Sequence, residues 1–111
     1  MINKVHLDIS SSMDYIKKKG FEWDEDKNSE CKKLRGFQFQ DITNAFLDPC
    51  RCITPDTRHD YGEERYELLA KLDEILFVVI YTFREEVIRI ISARKANERE
   101  KKRYKNHAHY G

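Results

Sequence analysis

Between Glu74 and Lys95 the chain carries two runs of β-branched and aromatic residues, Ile75 to Arg84 and Val87 to Arg94, separated only by Glu85-Glu86. Runs of this composition and length suit strands, and a two-residue charged break between them predicts an antiparallel pair. That pair supplies most of the core.

Side chains alternate faces along a strand, so the turn fixes which residues share a face. With Arg84 opposite Val87, Thr82 faces Arg89 and Tyr81 faces Ile90. Upstream, Arg65 to Leu72 also alternates, and a tight turn at Asp73-Glu74 sets Leu72 opposite Ile75 and Arg65 opposite Thr82. Three strands then present Arg65, Thr82 and Arg89 in a row, with Arg84 beside them, Glu67 one step away, and Ile80 and Ile91 flanking. Arg94 stands an odd number of positions from Arg89, so a regular strand sends it to the other face unless the strand ends at Ser92 and turns. A one-residue bulge would reverse that parity. Arginines on an otherwise apolar sheet are expensive to keep without a job.

At 111 residues the chain forms one domain with one modest core. Hydrophobic residues at 40% and charged residues at 37% place it among globular chains with a busy polar surface, not among disordered ones. No apolar run approaches membrane-spanning length and Met1 to Gly20 lacks the apolar block of a signal peptide, so a cytoplasmic protein is expected. Cys31, Cys50 and Cys52 form an odd set without disulfide-framework or zinc-site spacing, which agrees with a reducing compartment and predicts no metal centre. Net charge is +1, yet Glu22 to Glu30 holds five acids and one lysine while Arg94 to Lys105 holds seven bases and two acids. That asymmetry suits an anionic or acidic partner at the C-terminal side, or equally a solvated helix laced with ion pairs.

Residues 1–20 form an N-terminal extension of ambiguous pattern, expected to be a partly flexible arm. Phe21 to Trp23 reads as a short strand, Asp24 as an N-cap, and a helix follows to about Arg35, stopped by Gly36. Phe39, Ile42, Ala45 and Phe46 keep helical spacing up to Asp48-Pro49. Cys50 to Gly62 is turn-rich, with a short strand at Cys50 to Thr54. After the three strands, Ala96, Glu98, Glu100 and Tyr104 fit a terminal helix, with a frayed tail over 107–111. The expectation is an α+β domain over 21–106: a small antiparallel or mixed sheet of about four strands, two N-terminal helices and a C-terminal helix. Trp23 is expected in the core.

Phe21-Glu-Trp-Asp24 with Lys27, Phe46-Leu-Asp-Pro49, Gly62-Glu-Glu-Arg65, Val79 to Arg84 and Ile88 to Ala96 occur in an order that resembles the BrnT family of bacterial type II toxins. The likeness covers about Phe21 to Tyr104. It implies a RelE-like fold, a growth-arresting ribonuclease activity, and a BrnA-type antitoxin with a ribbon-helix-helix DNA-binding part. Toxin and antitoxin together would repress their operon, touching operator DNA only through the antitoxin, with a dimer within the complex among the expected arrangements. Matched to the family's conserved polar residues are Lys27, Glu64, Arg65, Arg84, Arg89 and Arg94. Three positions depart from the usual pattern: Cys31 for Asn, Arg35 for His and Ala70 for Gly.

Metal-free RNA cleavage needs a base for the 2′-hydroxyl proton, cations for the pentacoordinate phosphate and an acid for the leaving oxygen. Arg65, Arg84 and Arg89 suit the phosphate, since a guanidinium donates a planar pair of hydrogen bonds and stays charged. His59 has the most suitable unperturbed pKa for proton transfer, with Glu64, Glu67 or Tyr81 as alternatives. Lys27, Arg94 and Lys95 are candidates for RNA binding, and no cofactor is implied. The competing expectation is a non-catalytic basic module, an inactive toxin homologue that binds an antitoxin-like protein or nucleic acid.

Overall fold

Two-residue turns at Asp73-Glu74 and Glu85-Glu86 join three consecutive strands, β3 (Tyr66–Leu72), β4 (Ile75–Arg84) and β5 (Val87–Lys95), into an antiparallel meander. All four turn residues have positive φ, from 51° to 74°, the primed geometry whose twist matches the flanking strands. None is glycine, so each turn holds a side chain in the left-handed region. Glu74→Gly, which creates the favoured Asp-Gly pair, is expected to stabilise the fold by about 1 kcal/mol and raise Tm by several degrees. An unchanged or lower Tm on thermal denaturation would show that the turn carries no strain.

The computed structural model describes residues 20–58, 60 and 62–110, without the side chains of His109 and Tyr110. The expected N-terminal arm, apart from Gly20, and His59 lie outside the described residues. The sheet has five strands in the order β1-β5-β4-β3-β2, with β1 at Phe21–Trp23 and β2 at Cys52–Pro55. Five strands replace the four expected, and the sheet is mixed because β1 runs parallel to β5, pairing Glu22 with Arg89. β2 lies antiparallel on the far side of β3.

Helix α1 (Glu25–Arg35) starts where Asp24 accepts hydrogen bonds from the amides of Asp26 and Lys27, and ends at Gly36, whose φ of 86° suits a residue without Cβ. The segment Phe39–Leu47 is a 3₁₀ helix, tighter than the α-helical spacing suggested. Phe39, Ile42 and Ala45, all buried, recur every three residues, and three residues per turn stacks them on one face. Asn28 ties the two helices together: its side-chain oxygen accepts from the Phe39 amide at 2.7 Å.

These helices cover one face of the sheet. Cys31, Phe39, Ile42 and Phe46 meet Leu68, Ala70, Val79, Tyr81, Ile88 and Ile90 there, with Phe21 and Trp23 packed at the side. Each large side chain fully removed from water in this layer contributes about 1.5–3 kcal/mol. Among the described residues the other face is covered at one end only, where Tyr104 of α2 (Glu98–Tyr110) packs on Leu69, Leu76 and Val78. α2 runs through residues 107–110, so the expected tail is helical up to Tyr110. No described helix is long and apolar enough to cross a membrane.

Candidate active site

The part of the second face that α2 leaves open carries the arginines. Thr82 pairs with Arg89 and Tyr66 with Tyr81, and the Thr82 hydroxyl donates to the Glu64 carbonyl at 2.6 Å. Arg65, one residue before β3, thereby continues the register, and Arg65, Thr82 and Arg89 form a row with neighbours about 5 Å apart. Arg84 sits two residues further along β4, on the same face.

Each of these arginines is held by a carboxylate. Glu63 takes the Nε of Arg65 at 3.1 Å and lies 3.6 Å from Arg84, bridging the two. Glu22, on the neighbouring β1, takes Arg89 at 3.0 Å. Arg65 and Arg89 are about three-quarters buried, with side-chain exposures of 21% and 24%. Partial desolvation of this kind strengthens their pull on an arriving anion. Planar forks fixed in advance also lose less freedom when they close on a phosphate.

Arg94 does not go to the opposite face. Ile80 pairs with Ser92 and Tyr81 with Ile90, so Ile91 is an extra, unpaired residue in β5. This bulge reverses the alternation beyond it: Ala93 turns into the core, while Ser92 and Arg94 join the face of Thr82 and Arg89. Arg94 then pairs with Val78, four residues along β4 from Thr82 and about 13 Å from the row. There it grips Glu100 through two bonds of 2.8 and 2.7 Å. Glu100 also completes a reciprocal cap with Asn97 at the start of α2, each accepting the other's amide at 2.9 and 2.8 Å. The Arg94 hydrogen bonds hold the Glu100 carboxyl down at about 2, against the opposing effect of burial.

The remaining candidates divide between the two sides. Glu67 is on the open face and accepts from Arg103 at 3.1 Å. Glu64 is exposed beside the row and accepts from the Tyr66 hydroxyl at 2.9 Å, the main reason the Tyr66 phenol is raised. Tyr81 is buried on the core face, and burial pushes its phenol so far up that it cannot act as a base near neutrality. Lys27 is exposed on α1, and Lys95 pairs with the core-face residue Phe77, so both lie across the sheet from the row. His59 lies outside the described residues.

A depression of about 480 Å³ adjoins Arg65, walled by Pro55, Asp56, Asp60, Glu63, Glu64 and Tyr66. The Asp56 amide donates to the Arg65 carbonyl at 2.8 Å, and its carboxylate takes Arg58 at 2.8 and 3.1 Å, fixing the loop against the row.

Sequence reasoning missed Glu63, Glu22 and Arg58. Glu63 stands in the Gly62-Glu-Glu-Arg65 block, but strand parity cannot rank residues that precede the strand. Glu22 alternates between Phe21 and Trp23, a signal too short to give a partner.

Residues 23–100 match the family model described as ribonuclease toxin, BrnT, of type II toxin-antitoxin system. No curated protein matches the chain.

Proposed function

This chain belongs to the BrnT family, the ribonuclease toxins of type II toxin-antitoxin systems, and we propose that it cleaves RNA without a metal ion on the open face of its sheet. One observation carries this reading: Thr82 on β4 is paired with Arg89 on β5, and Arg65, one residue before β3, continues their row, with Arg84 adjacent. The 2′-oxygen of the substrate attacks phosphorus as its proton leaves, the bond to the 5′-oxygen breaks as that oxygen takes a proton from water, and a 2′,3′-cyclic phosphate and a 5′-hydroxyl result. Arg65 and Arg89 hold the phosphate from either side of Thr82 as its charge grows, and Arg84 supports them from the strand end. The acid-lined depression beside Arg65 repels phosphate, but its carboxylates suit the amino edge of a base.

His59, six residues before Arg65 in sequence, is our choice for proton transfer from the 2′-hydroxyl. His59→Gln is expected to remove the acid limb of the kcat/KM pH profile. An unchanged limb would pass the role to Glu64, Glu67 or the neighbouring Glu63.

A type II toxin has a cognate antitoxin. We infer a BrnA-like partner with a ribbon-helix-helix DNA-binding part, which carries the toxin to operator DNA as a dimeric complex. An acidic or amphipathic segment of that partner lies across the arginine face and competes with RNA. The compartment is the cytoplasm, where the RNA is.

Induced expression without antitoxin tests the proposal. Growth arrest that Arg65→Ala and Arg89→Ala each relieve, with both variants folded, is the expected result. Arrest that persists in both would place the chemistry elsewhere, and no arrest by the unaltered chain would favour an inactive binding module.

A further inference from the structure

β1 pairs with residues 88–90 of β5, so among the described residues Ile91 to Lys95 have no strand on their outer side. The end of α1 reaches that uncovered edge, where the Cys31 thiol donates to the Ala93 carbonyl at 3.7 Å. Arg35, in the last turn of α1, lines a small cavity on the arginine face. The cavity, about 100 Å³, is lined by Arg35, Arg58, Glu67, Ser92 and Arg94 over a floor of Val78 and Ile80. That is about three times the share of a water molecule in the liquid, room for a phosphate-sized group.

Charge decides what such a cavity takes. Arg94 is matched by Glu100, Arg58 by Asp56 and Glu67 by Arg103. Arg35 makes no ion pair among the described residues and is therefore the surplus cation. Arg58 and Arg94 are each held by a two-pronged carboxylate bond, so their positions are set before any ligand arrives. Arginines from a helix, a loop and a strand line this one cavity, and Ser92 beside them carries a hydroxyl that can donate.

We propose that this cavity is a second phosphate subsite, holding a phosphodiester of the same RNA strand whose scissile phosphate lies at the Arg65–Thr82–Arg89 row. Ile80, in the cavity floor, is two residues along β4 from Thr82, about 7 Å, so both anions lie on one face within reach of a single strand. The subsite rests on the proposed RNA cleavage at the row. It gives Arg35 a substrate-binding role.

The test is binding of the full-length chain to a single-stranded 2′-O-methyl RNA oligonucleotide, which cannot be cleaved, with Arg35→Ala, Arg35→Lys, Arg65→Ala and, as a charge control, Lys33→Ala. Arg35→Ala is expected to raise Kd roughly tenfold and to lower the salt-dependence slope by about 0.7. Arg35→Lys retains the slope, Lys33→Ala changes Kd little, and in cleavage assays Arg35→Ala raises KM with kcat kept. Weaker binding by Arg65→Ala but not by Arg35→Ala overturns the subsite and leaves cleavage at the row standing. No RNA binding by the unaltered chain overturns both. If Arg35→Ala weakens antitoxin binding alone, the cavity belongs to an acidic protein segment. If it lowers kcat at unchanged KM, Arg35 acts on the reacting phosphate. Either result rejects the subsite.

Discussion

Arg65→Ala is expected to lower kcat/KM for single-stranded RNA by about a hundred- to a thousandfold, with most of the loss in kcat. This corresponds to about 2.7–4 kcal/mol, the usual loss when one preorganised donor to a developing charge is removed. Arg65 is held at Nε by Glu63 and kept in register by the Thr82 bond to Glu64, so little reorganisation accompanies the reaction. Glu63 retains Arg84 in the variant, which leaves no buried carboxylate without a cation and lets the fold survive. Arg65→Lys restores the charge but not the planar fork, and recovers only part of the rate. The Arg65→Ala, Arg89→Ala double variant should fall less than the product of the single losses, because both residues hold one phosphate. Full activity in Arg65→Ala would remove the row from the mechanism.

A second large effect is the acid sensitivity of the docking of α2. The Glu100 carboxyl, with its side chain 11% exposed, sits at about 2 in the folded chain instead of 4.5, chiefly through its bonds from Arg94. A folded value below the unfolded one means that the stabilisation is fully present above pH 4.5 and drains away as the pH falls towards 2. The difference corresponds to roughly 3 kcal/mol. Asp48 adds to the same trend. Burial opposes its ionisation, but hydrogen bonds from the Tyr104 hydroxyl and the Lys71 and Cys50 amides outweigh it and hold the carboxyl below its ordinary value. Glu100→Gln is therefore expected to lose about 2–3 kcal/mol in denaturant unfolding at pH 7 and almost nothing at pH 2. Equal losses at both pH values would mean that the pair contributes no charge-dependent stability.

The hairpins were legible because two-residue turns leave one register. Leu72 opposite Ile75, Thr82 opposite Arg89 and Tyr81 opposite Ile90 follow from turn length alone, and the structure has all three. The bulge at Ile91 was not legible, since an isoleucine among Ile, Arg and Ser gives no local sign of an unpaired residue. Its effect on Arg94 was therefore missed, although the rule that a bulge reverses parity was in hand. Helix α1 was legible from its caps, Asp24 and Gly36, whereas the tight turn of Phe39–Leu47 was hidden because spacings of three and four coexist in Phe39, Ile42, Ala45 and Phe46. The parallel pairing of β1 involves three residues and a partner more than sixty positions away, beyond what periodicity reports. The arrival of Arg35 and Arg58 beside Arg94 has the same origin: a helix end, a loop and a bulged strand meet only through tertiary packing.

Analysis of the ends left by RNA cleavage in excess chelator tests the central claim most directly. The purified chain is predicted to cut single-stranded RNA under these conditions, leaving 2′,3′-cyclic phosphate and 5′-hydroxyl ends, and to spare DNA of the same sequence. A requirement for a divalent ion, or 5′-phosphate ends, would contradict attack by the 2′-oxygen on a phosphate held by Arg65 and Arg89.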